Sequence, residues 1–195
     1  MGAVIHSPVN RGVSQLERCL VQHGAATLAG LKTATLFCLS QEPGWQGQVA
    51  WWDCFLRKKG LRLAVMRCRG QRVLLYLWRP SQLRRDLQQP GVGEFLAQYG
   101  YGNTQVEPAL LRLRSRLEKS PGFPHEIGLF LGYPLGDVAG FIENQGKNCK
   151  CVGCWKVYCN ELEARQRFSK IQKCQRVYNK LWVQGRSVWQ LAVAA

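Results

Sequence analysis

Residues 121–159 gather one histidine and four cysteines among prolines, glycines and aromatic residues. His125 and Glu126 are adjacent, and an imidazole beside a carboxylate is a pairing suited to proton transfer. Pro124 fits a first helical position, where no amide donor is needed, which sets His125 and Glu126 in the first turn. There the positive end of the helix dipole favours Glu126 as an anion and a neutral imidazole at His125, able to act as base or ligand. Arg79, Tyr133 and Asp137 are the groups a folded-back chain would bring to support it. The structural alternative is a helix-start carboxylate beside a hydrogen-bonded histidine, and no second histidine follows at HExxH spacing. The chain carries no nucleophilic triad, phosphate loop or dinucleotide fingerprint.

The second chemical feature is Cys149, Cys151, Cys154 and Cys159. Four thiolates that converge can hold zinc or an iron–sulfur cluster, since soft ligands suit both. The spacing argues against convergence: structural zinc usually draws two ligands from each of two knuckles, whereas here Cys154 and Cys159 bracket a strand-like Trp155 to Tyr158. Free thiols are the plainer reading. A thiol beside Lys147, Lys150 and Lys156 is expected to have a depressed pKa and raised reactivity.

The elements that must position these groups follow from periodicity. Ser14 caps a helix through Leu16 and Leu20, and Thr33 to Leu39 reads as a strand. Val49, Trp52 and Leu56 mark a helix face that ends at Arg57-Lys58-Lys59-Gly60, with Trp45, Trp51 and Trp52 as core or lid residues. Leu61, Leu63 and Val65 alternate as a half-exposed strand, a turn follows at Arg69 to Arg72, and the unbroken apolar run Val73 to Trp78 requires a central strand covered on both faces. Helices are expected around 82–87, 92–99 and 107–119, the last with Leu110, Leu113 and Leu117 inward and Arg112 and Arg116 on a solvated face. Asn160 and Glu163 cap a long terminal helix whose apolar stripe is Phe168, Ile171, Cys174, Tyr178 and Leu181. The stripe makes Cys174 a core thiol and assigns Phe168 and Tyr178 to packing rather than to base stacking. Residues 127–143 match a helix-turn-helix in spacing, but the would-be recognition helix offers Asp137 and Glu143 and no Lys or Arg before Lys147, so a structural helical hairpin is the better reading.

Length and charge bound the function. The 195 residues are 46% apolar, which suits one domain with a real core, 1–195. The net charge is +15, from 27 Lys and Arg against 12 Asp and Glu. Such a surface attracts nucleic acid, acidic proteins and anionic small molecules. The start lacks the pattern of a secretory leader, and no apolar run approaches the roughly 18 residues that span a bilayer. We therefore expect a cytoplasmic protein without membrane insertion, whose nine cysteines stay reduced.

Several of these motifs occur together in one known family. Leu28-Ala29-Gly30-Leu31-Lys32, Arg79-Pro80-Ser81 with Leu83, Phe123-Pro124-His125-Glu126-Ile127-Gly128 through Leu131-Gly132-Tyr133-Pro134, Asp137 to Phe141, Gly146-Lys147 and Trp155-Lys156-Val157-Tyr158 carry the likeness. The chain resembles the uncharacterised family of anaerobic bacteria catalogued as domain of unknown function thirty-seven ninety-three. The resemblance covers nearly the whole chain and implies a bacterial, cytoplasmic protein. It brings no catalytic assignment with it.

These readings combine into an α+β fold: a small, mainly antiparallel sheet from segments near Thr33, Leu61, Val73 and Val152, covered by helices, with the long terminal helix packed across it. The leading functional expectation is a basic binding or accessory protein for an anionic, cofactor-like ligand or an acidic redox partner, with Arg79, His125, Glu126 and Tyr133 at the pocket. The alternatives are an enzyme using His125 and Glu126 as acid–base groups, a metal or cluster protein using Cys149 to Cys159, and a nucleic-acid-binding protein.

Overall fold

The apolar run at residues 73–78 sits where its pattern requires, in the middle of a three-stranded antiparallel sheet. The computed structural model describes residues 14–120 and 122–194. The reading of the amino terminus and Pro121 lie outside the described residues. Strand β1 (Ala34–Ser40) and strand β2 (Arg62–Arg69) flank β3 (Arg72–Trp78), in the order β1-β3-β2. Val73, Leu75 and Leu77 point to one face and Leu74, Tyr76 and Trp78 to the other, as alternation on a pleated strand dictates. Each face is covered by its own helical layer.

The first layer consists of α1 (Gln15–Leu28), α2 (Trp45–Arg57) and α9 (Val188–Leu191). A full capping box starts α1: Glu17 N–H donates to Ser14 Oγ at 3.2 Å and Ser14 N–H to Glu17 Oε2 at 3.0 Å. Trp45, Val49, Trp52 and Leu56 of α2 are buried, and Trp51 and Phe55 pack at the edge. The second layer holds α3 (Pro80–Leu87), α4 (Val92–Ala97), α5 (Val106–Lys119), α6 (Ile127–Phe130) and α7 (Leu135–Glu143). Because α5 lies over β2, that strand is more enclosed than its alternation suggests. Alternation puts Leu63 and Val65 with the first layer and Ala64 and Met66 with the second, and the bulge between Val65 and Arg67 pairs Arg67 with Leu74, on the second side, where its Nη1 donates to Leu117 O at 3.1 Å.

Two expectations about the sheet are corrected. Val152 does not join it: β4 (Cys151–Val152) and β5 (Lys156–Val157) form a separate two-stranded hairpin. The terminal helix α8 (Glu161–Val183) packs along α1 rather than across the sheet, with Gln175 Nε2 donating to Val21 O at 3.0 Å and Cys174 Sγ 3.7 Å from Ala25 O. The sheet face was already filled by α1 and α9. Cys174 is a buried thiol, as its place in the stripe predicts. Arg112 and Arg116 are not on a solvated face. Both are half-buried; Arg112 Nη2 donates to Tyr99 O at 3.0 Å, and Arg116 pairs with Glu126.

Candidate functional site

The glycines of the central motif determine how its pieces meet. Gly136 and Gly140 stand four apart, on one side of α7, and the chain leaving β5 crosses that side. A Cβ at Gly140 would lie 2.6 Å from Tyr158 Cβ, and one at Gly136 would collide with Cys159 Sγ. Asp137, between them, locks the crossing. Its carboxylate accepts from Trp155 Nε1 at 2.7 Å, from the Tyr158 amide at 2.7 Å and from the Cys159 amide at 2.9 Å. A carboxylate only 3% exposed requires such partners. Here they fasten the β4–β5 hairpin to α7.

Between that hairpin and the two short helices lies a cavity of about 300 Å³. Its walls are largely aromatic and aliphatic: Tyr133, Phe141, Trp155, Val138 and Ile127. Tyr133 stacks on Trp155 with centroids 4.9 Å apart and planes at 26°. His125 stands over Phe141, centroids 5.0 Å apart, and Lys156 also lines the opening. Lys156 Nζ donates to Gly146 O at 2.7 Å, which holds the ammonium beside the Phe141 ring. Burial, with the nearby Cys154 side chain adding to it, pushes the Tyr133 phenol up to about 12, so it stays a neutral donor and bonds to Cys154 O at 3.3 Å.

The four residues expected at one pocket are separated. His125 and Tyr133 line the cavity; Glu126 and Arg79 do not. Pro124 precedes a turn rather than opening a helix: Ile127 N–H bonds to Pro124 O at 3.1 Å, and α6 begins at Ile127. That turn leaves His125 exposed and sends Glu126 inward, where it is 1% exposed and bound by Arg116 and the Tyr101 hydroxyl. The supposed acid–base pair is thereby taken apart. Arg79 stands between β3 and α3 and is buried, donating from Nε to Thr27 O and from Nη2 to Leu28 O and Val193 O at 2.7 to 2.8 Å. It ties the end of α1 to the chain after α9, away from the cavity.

A family model described as Protein of unknown function (DUF3793) matches residues 20–192. The chain belongs to this family. No curated protein and no solved structure matches it.

In this DUF3793 protein the clustered cysteines each have different neighbours, and Cys151 and Cys154 pack against the apolar cluster of Trp155, Val157 and Phe168. Cys154 lies near Lys32 and Arg167, Cys149 near Tyr158, Cys151 near Arg165, and Cys159 against Gly136 and Asp137. Among the described residues no three His, Cys, Asp or Glu side chains are grouped to hold a metal ion. The expected lowering of thiol pKa is reversed at two of them. Burial pushes the Cys154 thiol up against the pull of Lys32 and Arg167, and burial with the Asp137 carboxylate pushes up Cys159. Two of the lysines meant to activate these thiols are spent on backbone carbonyls: Lys156 on Gly146 O, and Lys150 on Cys159 O at 2.6 Å.

Sequence reasoning passed over Phe141, Trp155 and Lys156 as cavity residues. The signal for the first two was the i, i+4 glycine pair on α7, which announces a close crossing by another backbone and hence a hairpin laid beside Phe141. Nothing local marks Lys156.

Proposed function

We propose that this protein binds a small planar ligand with an apolar ring body and an anionic group in the cavity between α6, α7 and the β4–β5 hairpin. The observation that carries the reading is the lining: three aromatic rings, with His125 and Lys156 at the opening and no carboxylate exposed beside them, since Asp137 is consumed by three donors. Binding cavities have this character, mostly apolar walls with a few placed polar groups, at volumes of about 300 Å³ upward. The ring body packs against Tyr133, Phe141 and Trp155, and the anion meets the Lys156 ammonium, with the His125 imidazole beside it. A cofactor-like ligand fits that description, and the surplus of positive charge around it suits an acidic redox partner that delivers or uses the ligand. The acid–base enzyme reading loses its carboxylate, because Glu126 is committed to Arg116 and Tyr101.

The test compares two fluorescent probes that share a ring system. 8-Anilinonaphthalene-1-sulfonate carries an anion and N-phenyl-1-naphthylamine does not. The sulfonate should bind more tightly to the wild type, Phe141→Ala should weaken both probes about tenfold, and Lys156→Gln with His125→Ala should abolish the preference between them. Equal binding of both probes by wild type and variants would remove the proposal.

A further inference from the structure

The last 32 residues, Ala164 to Ala195, contain Arg165, Arg167, Lys170, Lys173, Arg176, Lys180 and Arg186 and not one Asp or Glu. Six of these seven cations lie on α8. The helix buries Ala164, Phe168 and Cys174, with Ile171, Tyr178 and Leu181 at the margin, and the opposite face is open. At 3.6 residues per turn, Lys170, Lys173, Arg176 and Lys180 fall within about 120° of arc on that open face, and at 1.5 Å per residue they run along about 15 Å of it. All four are exposed, and none makes a side-chain hydrogen bond or ion pair among the described residues. Gln166, Ser169 and Asn179 lie exposed among and beside them.

An ordinary solvated helix face does not look like this. Such faces alternate sign, so that i, i+4 pairs add a few tenths of a kcal/mol each. Glu161 with Arg165 is such a pair, at 2.6 Å, and it is the last on the helix. Beyond it the spacings Lys170 to Lys173, Lys173 to Arg176 and Arg176 to Lys180 bring like charges together on neighbouring turns, which costs the helix stability. Only Lys180, in the last turn, gains from the helix dipole. A row of cations that the fold itself does not use, mixed with neutral hydrogen-bonding side chains and with the exposed aliphatic residues confined to Val177 within it and Leu162 and Val183 at the two ends of the helix, complements a line of phosphates better than an apolar surface.

We propose that the outer face of α8 binds the phosphate backbone of nucleic acid without regard to base sequence. The contact is separate from the cavity beneath the β4–β5 hairpin and stands whether or not that cavity binds a ligand. Four cations neutralising four phosphates predict a slope of log K against log salt near about −3.6 on duplex DNA and about −2.8 on single strands.

The experiment is fluorescence anisotropy of the full chain with short labelled duplex DNA and single-stranded RNA, over about 50 to 200 mM salt. Lys173→Gln with Arg176→Gln should reduce the duplex slope by about 2 and weaken binding at least tenfold at low salt, while the melting temperature holds or rises because like charges have been removed. Lys58→Gln with Lys59→Gln, which removes equal charge from the end of α2, should leave the slope near its original value. Equal losses in the two double variants would assign the attraction to overall charge and overturn the proposal. So would binding to vesicles of anionic lipid, or to an acidic protein, with no saturable binding to either nucleic acid.

Discussion

His125 and Glu126 are neighbours in the chain and opposites in the fold: His125 stands over Phe141 at the cavity mouth, while Glu126 is buried on Arg116 and Tyr101. One residue of turn geometry divides a ligand contact from a core ion pair. The two substitutions should therefore separate cleanly. His125→Ala should leave stability within about 0.5 kcal/mol, as exposed positions do. Glu126→Ala strands the Arg116 guanidinium and should cost about 3 kcal/mol. Denaturant unfolding of both variants checks this, and equal stabilities would mean that Glu126 is not the buried partner described.

Arg79 illustrates how a charged residue can be read for the wrong purpose. It follows the central strand in an Arg-Pro-Ser sequence and looks available, yet its guanidinium serves three carbonyls from two ends of the chain. Burial also lowers its pKa below the usual arginine range. Arg79→Ala leaves those carbonyls without donors, each at a cost of about 1 kcal/mol or more, and should lower the melting temperature by roughly 6 to 12 °C. Arg79→Lys should recover only part of the loss, because one ammonium cannot reproduce the planar fork. Calorimetry of the two variants makes the comparison.

Asp53 provides a pH signature. Burial on its own would raise its pKa, but bonds from Arg62 Nε at 2.8 Å, the Leu63 amide at 2.8 Å and Arg57 at 3.0 Å outweigh it and hold the carboxyl below the usual range. A folded-state pKa below the unfolded one stabilises the protein above the unfolded value, and that contribution is lost as pH falls through the folded value. Asp53→Asn should therefore cost about 1 kcal/mol near neutrality, with partial exposure keeping the figure small. The gap from wild type should close as pH drops below about 4. Urea unfolding at several pH values measures it; a gap that widens in acid would reverse the assignment.

Much of the architecture was legible because it is written in periodicity. Val73 to Trp78 reads as a strand covered on both faces, Ser14 ahead of Leu16 and Leu20 reads as a helix start, and residues 135–143 form the helix their pattern requires. The failures share a cause, which is that side-chain direction over a turn or a hairpin is decided by distant partners. Glu126 turns inward because Arg116 waits there from another helix. The Val152 strand pairs only with its own hairpin because Asp137 draws the following amides away to α7. A thiol of the cysteine run reads as activated by Lys147, Lys150 and Lys156 along the chain, whereas burial in the fold raises both Cys154 and Cys159. Pairwise spacing cannot report any of these.

The most direct test of the cavity is amide hydrogen exchange of the wild-type protein with and without saturating 8-anilinonaphthalene-1-sulfonate. Occupation of the site predicts slower exchange confined to α6, α7 and the β4–β5 hairpin, with α1, α2 and the three-stranded sheet unchanged. Protection that appears instead across the sheet or along α8, or binding that leaves α6, α7 and the hairpin unprotected, would contradict the account.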